Sequence, residues 1–438
     1  MTPARRWIAG CVVLGLALRV AFALFYWVNQ PLTHDEREYL ALGRSLARGD
    51  GFRYPADEPP PGTGQQFGRA PGYPVFLSAL GVREPAEHVP RRVQIVQASL
   101  GAVGIWLIAA IAGRAAGPRA AITAAAIAAI YPPLVWMPAY ALSEALYSTL
   151  CLVIAWLLQN TASTPKGTSP FGPRASTLLA ALFTGVAILT RPAIVFFLPF
   201  AAAWMIARRH TRHAVMFVVI AALCVLPWTI RNRAVYGRWI AVASEGGITF
   251  WTGNHPLAVG EGDLAANPSL KRAELEFRAA HPDLTPEQLE PLYYRDALAW
   301  IRREPGRWLV LMGRKLFYTI VPIGPSYALH SLKYFAASAV TYLLVLPAAA
   351  VGAWRWRTAP RGGGAPRTTG RGAPAAADRG GGSPAALWLM AAATVAAGLV
   401  FFPQERFRIP VIDPALIVTA SLLAGSYRDE STGRHADV

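Results

Sequence analysis

The chain has 438 residues, 54% of them hydrophobic and 15% charged, with a mean hydropathy of +0.32. That is too apolar for a soluble protein of this length, so the bilayer is its solvent. The net charge of +17 raises the question of a nucleic-acid partner, but in a membrane protein the placement of the charges has to be read first.

A spanning helix needs roughly 20 apolar residues. Such stretches are expected at 7–28, 94–113, 119–136, 140–159, 175–190, 191–207, 213–230, 333–353, 385–402 and 408–426. The first follows Arg5 and Arg6 and runs through Tyr26 and Trp27. It is longer than a signal core and has no small-residue cleavage site, so it reads as an anchor. With the N-terminus inside, the cytoplasmic segments hold 17 Lys and Arg against four acids, whereas the outer loops 29–93 and 231–306 hold 17 basic and 18 acidic residues. This asymmetry is the positive-inside pattern and calls for no nucleic acid. The three cysteines, Cys11, Cys151 and Cys224, lie far apart in apolar stretches, which fits neither a disulfide framework nor a metal-ligand spacing.

The expected organisation follows the chain. Residues 1–28 form a first transmembrane helix, 29–93 a first periplasmic loop, 94–230 a transmembrane core and 231–306 a second periplasmic loop. Residues 307–332 read as an interfacial or re-entrant helix, because Arg314 and Lys315 fall in the middle. A transmembrane helix at 333–353 leads to 354–384, whose Gly, Pro, Ala and Arg lack the apolar residues for a core and read as a disordered cytoplasmic linker. Two helices within 385–426 and a cytoplasmic tail at 427–438 complete the chain. No internal repeat is evident, which weighs against an inverted-repeat transporter.

Polar chemistry concentrates in the outer loops. After the first span comes Thr33-His34-Asp35-Glu36-Arg37-Glu38-Tyr39, the start of a surface helix with two carboxylates at its N-terminal end. Helix capping explains them as well as a general base at the membrane surface does. In the second loop, Thr285-Pro286-Glu287-Gln288 predicts an N-cap, a proline in the first turn and a capping-box partner. Arg19 lies about 18 Å into the first helix at 1.5 Å per residue and must face the bundle.

These strings, read in order, resemble a known family. Asp35-Glu36 with Tyr39, Gly51-Phe52 and Arg69-Ala70-Pro71-Gly72-Tyr73-Pro74 are similar to the first outer loop of GT-C glycosyltransferases. The resemblance is to the dolichyl-phosphate-mannose protein mannosyltransferases and the bacterial lipid A aminoarabinose transferases, the family 39-like group. It continues through Leu142-Ser143-Glu144, Leu189-Thr190-Arg191-Pro192, Pro227-Trp228 to Arg231-Asn232, Gly246-Gly247 with Trp251 to Pro256, and Arg406-Phe407-Arg408-Ile409-Pro410. It spans residues 7–426, and its weight lies in the order and common sidedness of the motifs.

The resemblance implies an all-α polytopic GT-C fold, with about ten transmembrane helices and interfacial helices in two outer loops. It implies a glycosyltransferase that takes sugar from a polyprenyl-phosphate donor at the periplasmic face of a bacterial inner membrane, with inversion. The acceptor would be an envelope glycolipid, a glycan or a protein. Asp35 is the implied base, with Glu36 beside it and Glu144 as the second acid. The donor phosphate needs arginine or lysine at the outer interface, and the candidates are Arg69, Arg191, Arg231, Lys315, Arg406 and Arg408. Tyr39, Tyr73, Trp251, Asn254 and His255 are candidates for the sugar pocket, and for Trp251, Asn254 and His255 loop folding is the equal alternative. No cofactor is specified; a divalent metal is left open, with Asp35, Glu36 and Glu144 as the carboxylates available to it. A monomer surrounded by membrane lipids is expected. The competing classes are a lipid or solute transporter, which would carry midplane ionisable residues and repeats, and a non-catalytic subunit of the same fold.

Overall fold

A computed structural model gives the structure over residues 2–55, 68–161, 172–262, 264–321, 331–358 and 382–425, and the described residues contain helices and no strand. The first span is α1 (Pro3–Ala21) with a π-helical turn, Phe22–Tyr26. The loop after it contributes α2 (His34–Arg48) and α3 (Gly72–Ala79). Next comes α4 (Arg91–Ile130), broken at Ala116 and Gly117, where Gly117 takes φ +86° and Pro118 follows. A glycine in the left-handed region before a proline makes the reversal inexpensive, so α4 is two antiparallel segments joined by a tight turn. Then come α5 (Pro132–Trp136), α6 (Glu144–Thr161), α7 (Pro173–Thr190), a 3-10 turn at Pro192–Phe196, α8 (Phe197–Ala207) and α9 (Thr211–Tyr236). The loop after α9 holds α10 (Gly246–Gly253), α11 (Pro268–Ala279) and α12 (Pro286–Arg303), followed by α13 (Pro305–Ile320). The chain ends in α14 (Leu332–Thr358), α15 (Ala385–Val400), α16 (Glu405–Arg408) and α17 (Ile412–Ser421).

Among the described residues five helices are long and apolar enough to cross a membrane: Pro3–Tyr26, Arg91–Ile130, Pro173–Thr190, Thr211–Tyr236 and Leu332–Thr358. Shorter apolar helices at Glu144–Gln159, Pro192–Ala207, Ala385–Val400 and Ile412–Ala424 pack among them. Large apolar side chains such as Val13, Leu14, Val219, Leu223 and Leu344 are exposed on the outside of the bundle, which is the surface that a lipid environment solvates.

Arg19 shows how the bundle tolerates a charge. It is buried, and its guanidinium donates to the carbonyls of Ala128 at 3.1 Å and Ala129 at 3.3 Å, and to Gly15 at 2.8 Å. In a continuous helix those two alanine carbonyls would accept from residues 132 and 133, but both are prolines and have no N–H. Arg19 supplies the donors that Pro132 and Pro133 withhold. The helices approach closely enough because a Cβ on Gly15 would lie 2.2 Å from Ile105.

The outer helices begin where the sequence predicts. Thr33 and Glu36 form a capping box at α2, and Thr285 and Gln288 form another at α12, with the Thr285 N–H donating to Gln288 at 2.9 Å. The second loop folds around Trp251, Leu270, Leu289, Tyr293 and Ala297. This lobe rests on the C-terminal end of α15, where a Cβ on Gly253 would meet the Phe401 carbonyl at 1.9 Å. α13 starts at the lobe, and Lys333 and Tyr334 lie at the Tyr26 end of the first span, where Lys333 meets Tyr26 and Tyr334 packs on Trp27 and Trp136; residues 322–330 lie outside the described residues. Residues 354–358 of the expected linker continue α14; residues 359–381, and the tail from 426, lie outside the described residues.

Candidate active site

A cavity of about 1000 Å³ lies under the lobe. Its lower wall is apolar, with Ile188, Val195, Leu198, Val225 and Leu226 from α7, the 3-10 turn, α8 and α9. Its upper rim is ionic, with Asp35, Arg69, Glu144, Arg191, Glu245 and Arg406. The fold thus brings residues from near both ends of the sequence and from the two long loops to one place.

The rim is built on paired charges. Asp35, in the first turn of α2, meets Arg69 at 2.6 Å through Oδ1 and Arg406 at 2.5 Å through Oδ2. Arg69 also donates from Nε to Glu38 at 2.6 Å, reaches Glu245 at 3.3 Å and lies over the Tyr39 ring at 5.3 Å. Arg191 pairs with Glu144 at 2.9 Å and stacks on Phe407 at 4.5 Å. Arg406 donates to Gln404 at 3.0 Å and lies 5.3 Å from the same Phe407 ring. Two arginines thus lie against Phe407 at the short α16 turn, flanked by Pro403 and Pro410.

These environments set the carboxylates apart. Burial works to raise the proton affinity of Asp35, but the charges of Arg406 and Arg69 together outweigh it and hold this carboxyl well below the usual range. Glu245 goes the other way: burial, with Glu38 and Asp35 as like-charged neighbours, pushes it up to about 7 against the attraction of Arg69. Burial also raises Glu36, yet both its oxygens accept backbone N–H groups, from Thr33 at 2.8 Å and Ala141 at 2.9 Å. Glu36 thus caps α2 and ties it to the chain before α6.

Several candidates stand elsewhere. Arg408 lines the cavity but turns its guanidinium into the bundle, 2.8 Å from Asp413 and 3.8 Å from the Tyr342 ring. Arg231 is held among Trp228, Tyr236 and the Phe52 carbonyl, away from the cavity lining. Tyr73 is buried beneath Tyr39 and donates to Gln97 at 2.8 Å. Trp251 belongs to the lobe core, donating to Asp296 at 2.7 Å with His255 packed on its ring. Asn254 donates to Val400 O at 2.8 Å and accepts from Lys315 at 3.2 Å, while Lys315 donates to Leu399 O at 2.9 Å. Asn254 and Lys315 fasten the lobe and α13 to the end of α15, so Lys315 serves as a clasp there.

The carboxylates left open to a metal do not gather. Asp35 has both oxygens on arginines and Glu36 has both on amides, and among the described residues no three His, Cys, Asp or Glu side chains are placed to hold an ion. Glu245 and the stacking ring of Phe407 were not singled out in the sequence. The available signals were an acid directly before Gly246-Gly247 and an aromatic residue between two arginines.

The helical architecture is that of the GT-C fold, with helices long and apolar enough to cross a membrane. Its residues 87–230 match the model of the dolichyl-phosphate-mannose-protein mannosyltransferase family. It is similar to the crystal structure of the Archaeoglobus fulgidus oligosaccharyltransferase complexed with zinc and sulfate, with a TM-score of 0.51 at 14% identity over 95% of this chain and 48% of that one. AglB of the same organism, in complex with an inhibitory peptide and a dolichol-phosphate, gives a TM-score of 0.51 at 14% identity, covering 97% and 50%. The chain thus spans about half the length of these archaeal proteins. ArnT from Cupriavidus metallidurans bound to undecaprenyl phosphate gives 0.40 at 16% identity, covering 95% and 77%. No curated protein sequence matches the chain.

Proposed function

We propose that this protein is a glycosyltransferase that moves a sugar from a polyprenyl-phosphate carrier to an acceptor at the extracytoplasmic face of a bacterial inner membrane. The observation that carries this reading is the continuity of one cavity from an apolar wall to an arginine-bearing rim. A polyprenyl-phosphate sugar has the same sequence of parts: an apolar tail, an anion at headgroup level and a polar sugar above it. The tail lies along the side chains of α7, α8 and α9. The phosphate meets Arg406 and Arg191 on either side of Phe407. The dolichol-phosphate complex of AglB, which shares the fold, supports this kind of ligand.

Arg406 is the arginine best able to change partners, because its side chain is 40% exposed while those of Arg69 and Arg191 are 17% and 18% exposed. As the glycosidic bond breaks, the departing phosphate gains negative charge, and guanidinium groups already in place favour that state over the ground state. One direct displacement needs leaving-group stabilisation and one proton acceptor, and it inverts the anomeric carbon. The acceptor, a glycolipid, glycan or protein, enters from the outer side, between α2 and the second-loop lobe.

Mass spectrometry of envelope lipids, glycans and proteins from cells with and without the gene tests the reading. The expected result is one sugar-sized mass missing from one acceptor class, with its unmodified form accumulating. An unchanged envelope with an altered distribution of a lipid or solute across the membrane would favour a transporter instead.

A further inference from the structure

Asp35 and Glu245 meet the two terminal nitrogens of one guanidinium. Oδ1 of Asp35 lies 2.6 Å from Nη2 of Arg69, and Oε2 of Glu245 lies 3.3 Å from Nη1. Both carboxylates line the cavity, yet their occupation differs. Asp35 has each oxygen against a guanidinium, Arg69 on one side and Arg406 on the other. Such a carboxylate is a poor proton acceptor at neutral pH, because protonation would break an ion pair. Glu245 has one long contact on Oε2, its side chain is 28% exposed, and Oε1 has no hydrogen-bond partner among the described residues.

We propose that Glu245 is the general base of the transfer, taking the proton of the acceptor hydroxyl or amine on Oε1, while Asp35 is a positioning residue that fixes Arg69 and Arg406. This assignment rests on the glycosyl-transfer reading. In the step, the acceptor's lone pair forms a bond to the anomeric carbon. The bond from that carbon to the phosphate oxygen breaks with its electron pair, which stays on the phosphate held by the arginines. The acceptor's proton goes to Glu245 and then to water.

The electrostatics agree with the geometry. Burial pushes Glu245 up to about 7, and the titratable and charged groups facing it are Arg69, Glu38, Asp35, His34 and the Tyr54 hydroxyl. A base works best when its proton affinity lies near the operating pH. Asp35, held low by two arginines, stays charged throughout and keeps its hold on both.

The test is single-turnover release of undecaprenyl phosphate from whichever undecaprenyl-phosphate sugar the nanodisc-held protein consumes, followed from about pH 5 to about pH 9. The wild-type rate should climb with pH and level off above about 7. Glu245→Gln should lose the climb and fall by about 10²- to 10⁴-fold, the usual contribution of a general base. Glu245→Asp should restore the climb at a lower rate. Asp35→Asn should keep the climb while weakening both donor binding and turnover. Glu245→Gln that keeps the climb and the rate, or a climb lost in Asp35→Asn alone, would overturn the assignment. Infrared difference spectra separate this failure from failure of the underlying reading. A carboxyl band that titrates near neutrality and vanishes in Glu245→Gln is expected whether or not a donor is consumed, and its absence overturns the proposal even where transfer occurs.

Discussion

Arg406 and Arg408 stand two positions apart and face opposite ways. Arg406 looks into the cavity, half-exposed beside Asp35, whereas Arg408 is buried against Asp413 and the Tyr342 ring. Their substitutions should separate accordingly. A bidentate contact from Arg406 to a phosphate cannot be copied by a point-like ammonium. Arg406→Lys should therefore lower single-turnover transfer by roughly 10- to 100-fold, the effect of one charge-assisted hydrogen bond, with a smaller loss of donor affinity. Arg307→Lys is the control, because Arg307 is exposed and pairs with Glu304 within its own helix. Equal rates in both variants would make the α16 turn a membrane anchor. Arg408→Met removes the partner of a fully buried aspartate. Stranding such a charge typically costs about 3–5 kcal/mol, so this variant should lose thermal stability, and Arg408→Met combined with Asp413→Leu should regain much of it. A pH dependence also belongs to Asp35. Its folded-state affinity for protons lies below the ordinary value, so the stability it contributes is present above about pH 4 and is lost as the pH falls below that.

At the scale of elements, close approaches decide which helices can meet. Gly253 of α10 sits where a Cβ would meet the Phe401 carbonyl at 1.9 Å, whereas Gly306 of α13 has nothing within 4 Å. Gly253→Ala should push the lobe away from α15 and destabilise the protein by about 1–3 kcal/mol. Gly306→Ala should be neutral or slightly stabilising, and thermal unfolding in one detergent preparation compares them. Helix starts were legible in the sequence because capping is local: Thr33 with Glu36 and Thr285 with Gln288 are three residues apart. Arg19 was legible as a bundle-facing charge, but its partners were not, since the carbonyls it meets are orphaned by Pro132 and Pro133, more than a hundred residues away. Trp251 and His255 carried the same ambiguity. Aromatic residues in a loop serve a sugar or a core equally well, and the structure packs Phe277 and Tyr293 around Trp251 in the lobe.

At the scale of the whole molecule, the apolar stretches and the order of the motifs made the fold legible, because hydropathy and sidedness are properties of the chain as a sequence. Asp35, Arg69 and Arg406 were singled out in the sequence, Glu245 was not, and the arrangement of the four was not legible. Asp35, Arg69, Glu245 and Arg406 converge from four distant segments, and nothing local to Arg408 says that it faces Asp413 while Arg406 faces Asp35. Sidedness itself is open to a direct check. Cysteines at Arg83 and Leu284, exposed at the end of the bundle that carries the cavity, should react with an impermeant maleimide added outside spheroplasts. Cysteines at Arg212 and Arg357, exposed at the other end, should react only after permeabilisation. Labelling of Arg212→Cys in intact spheroplasts would turn the site to the cytoplasm. The most direct measurement of the central claim is incubation of the nanodisc-held protein with a panel of undecaprenyl-phosphate sugars and envelope acceptors, followed by mass spectrometry of the lipid products. Loss of one donor with release of undecaprenyl phosphate, abolished in Arg406→Ala and retained in Arg307→Ala, is the predicted result. A panel left intact by wild-type protein that is folded and supplied with every acceptor class would contradict the account.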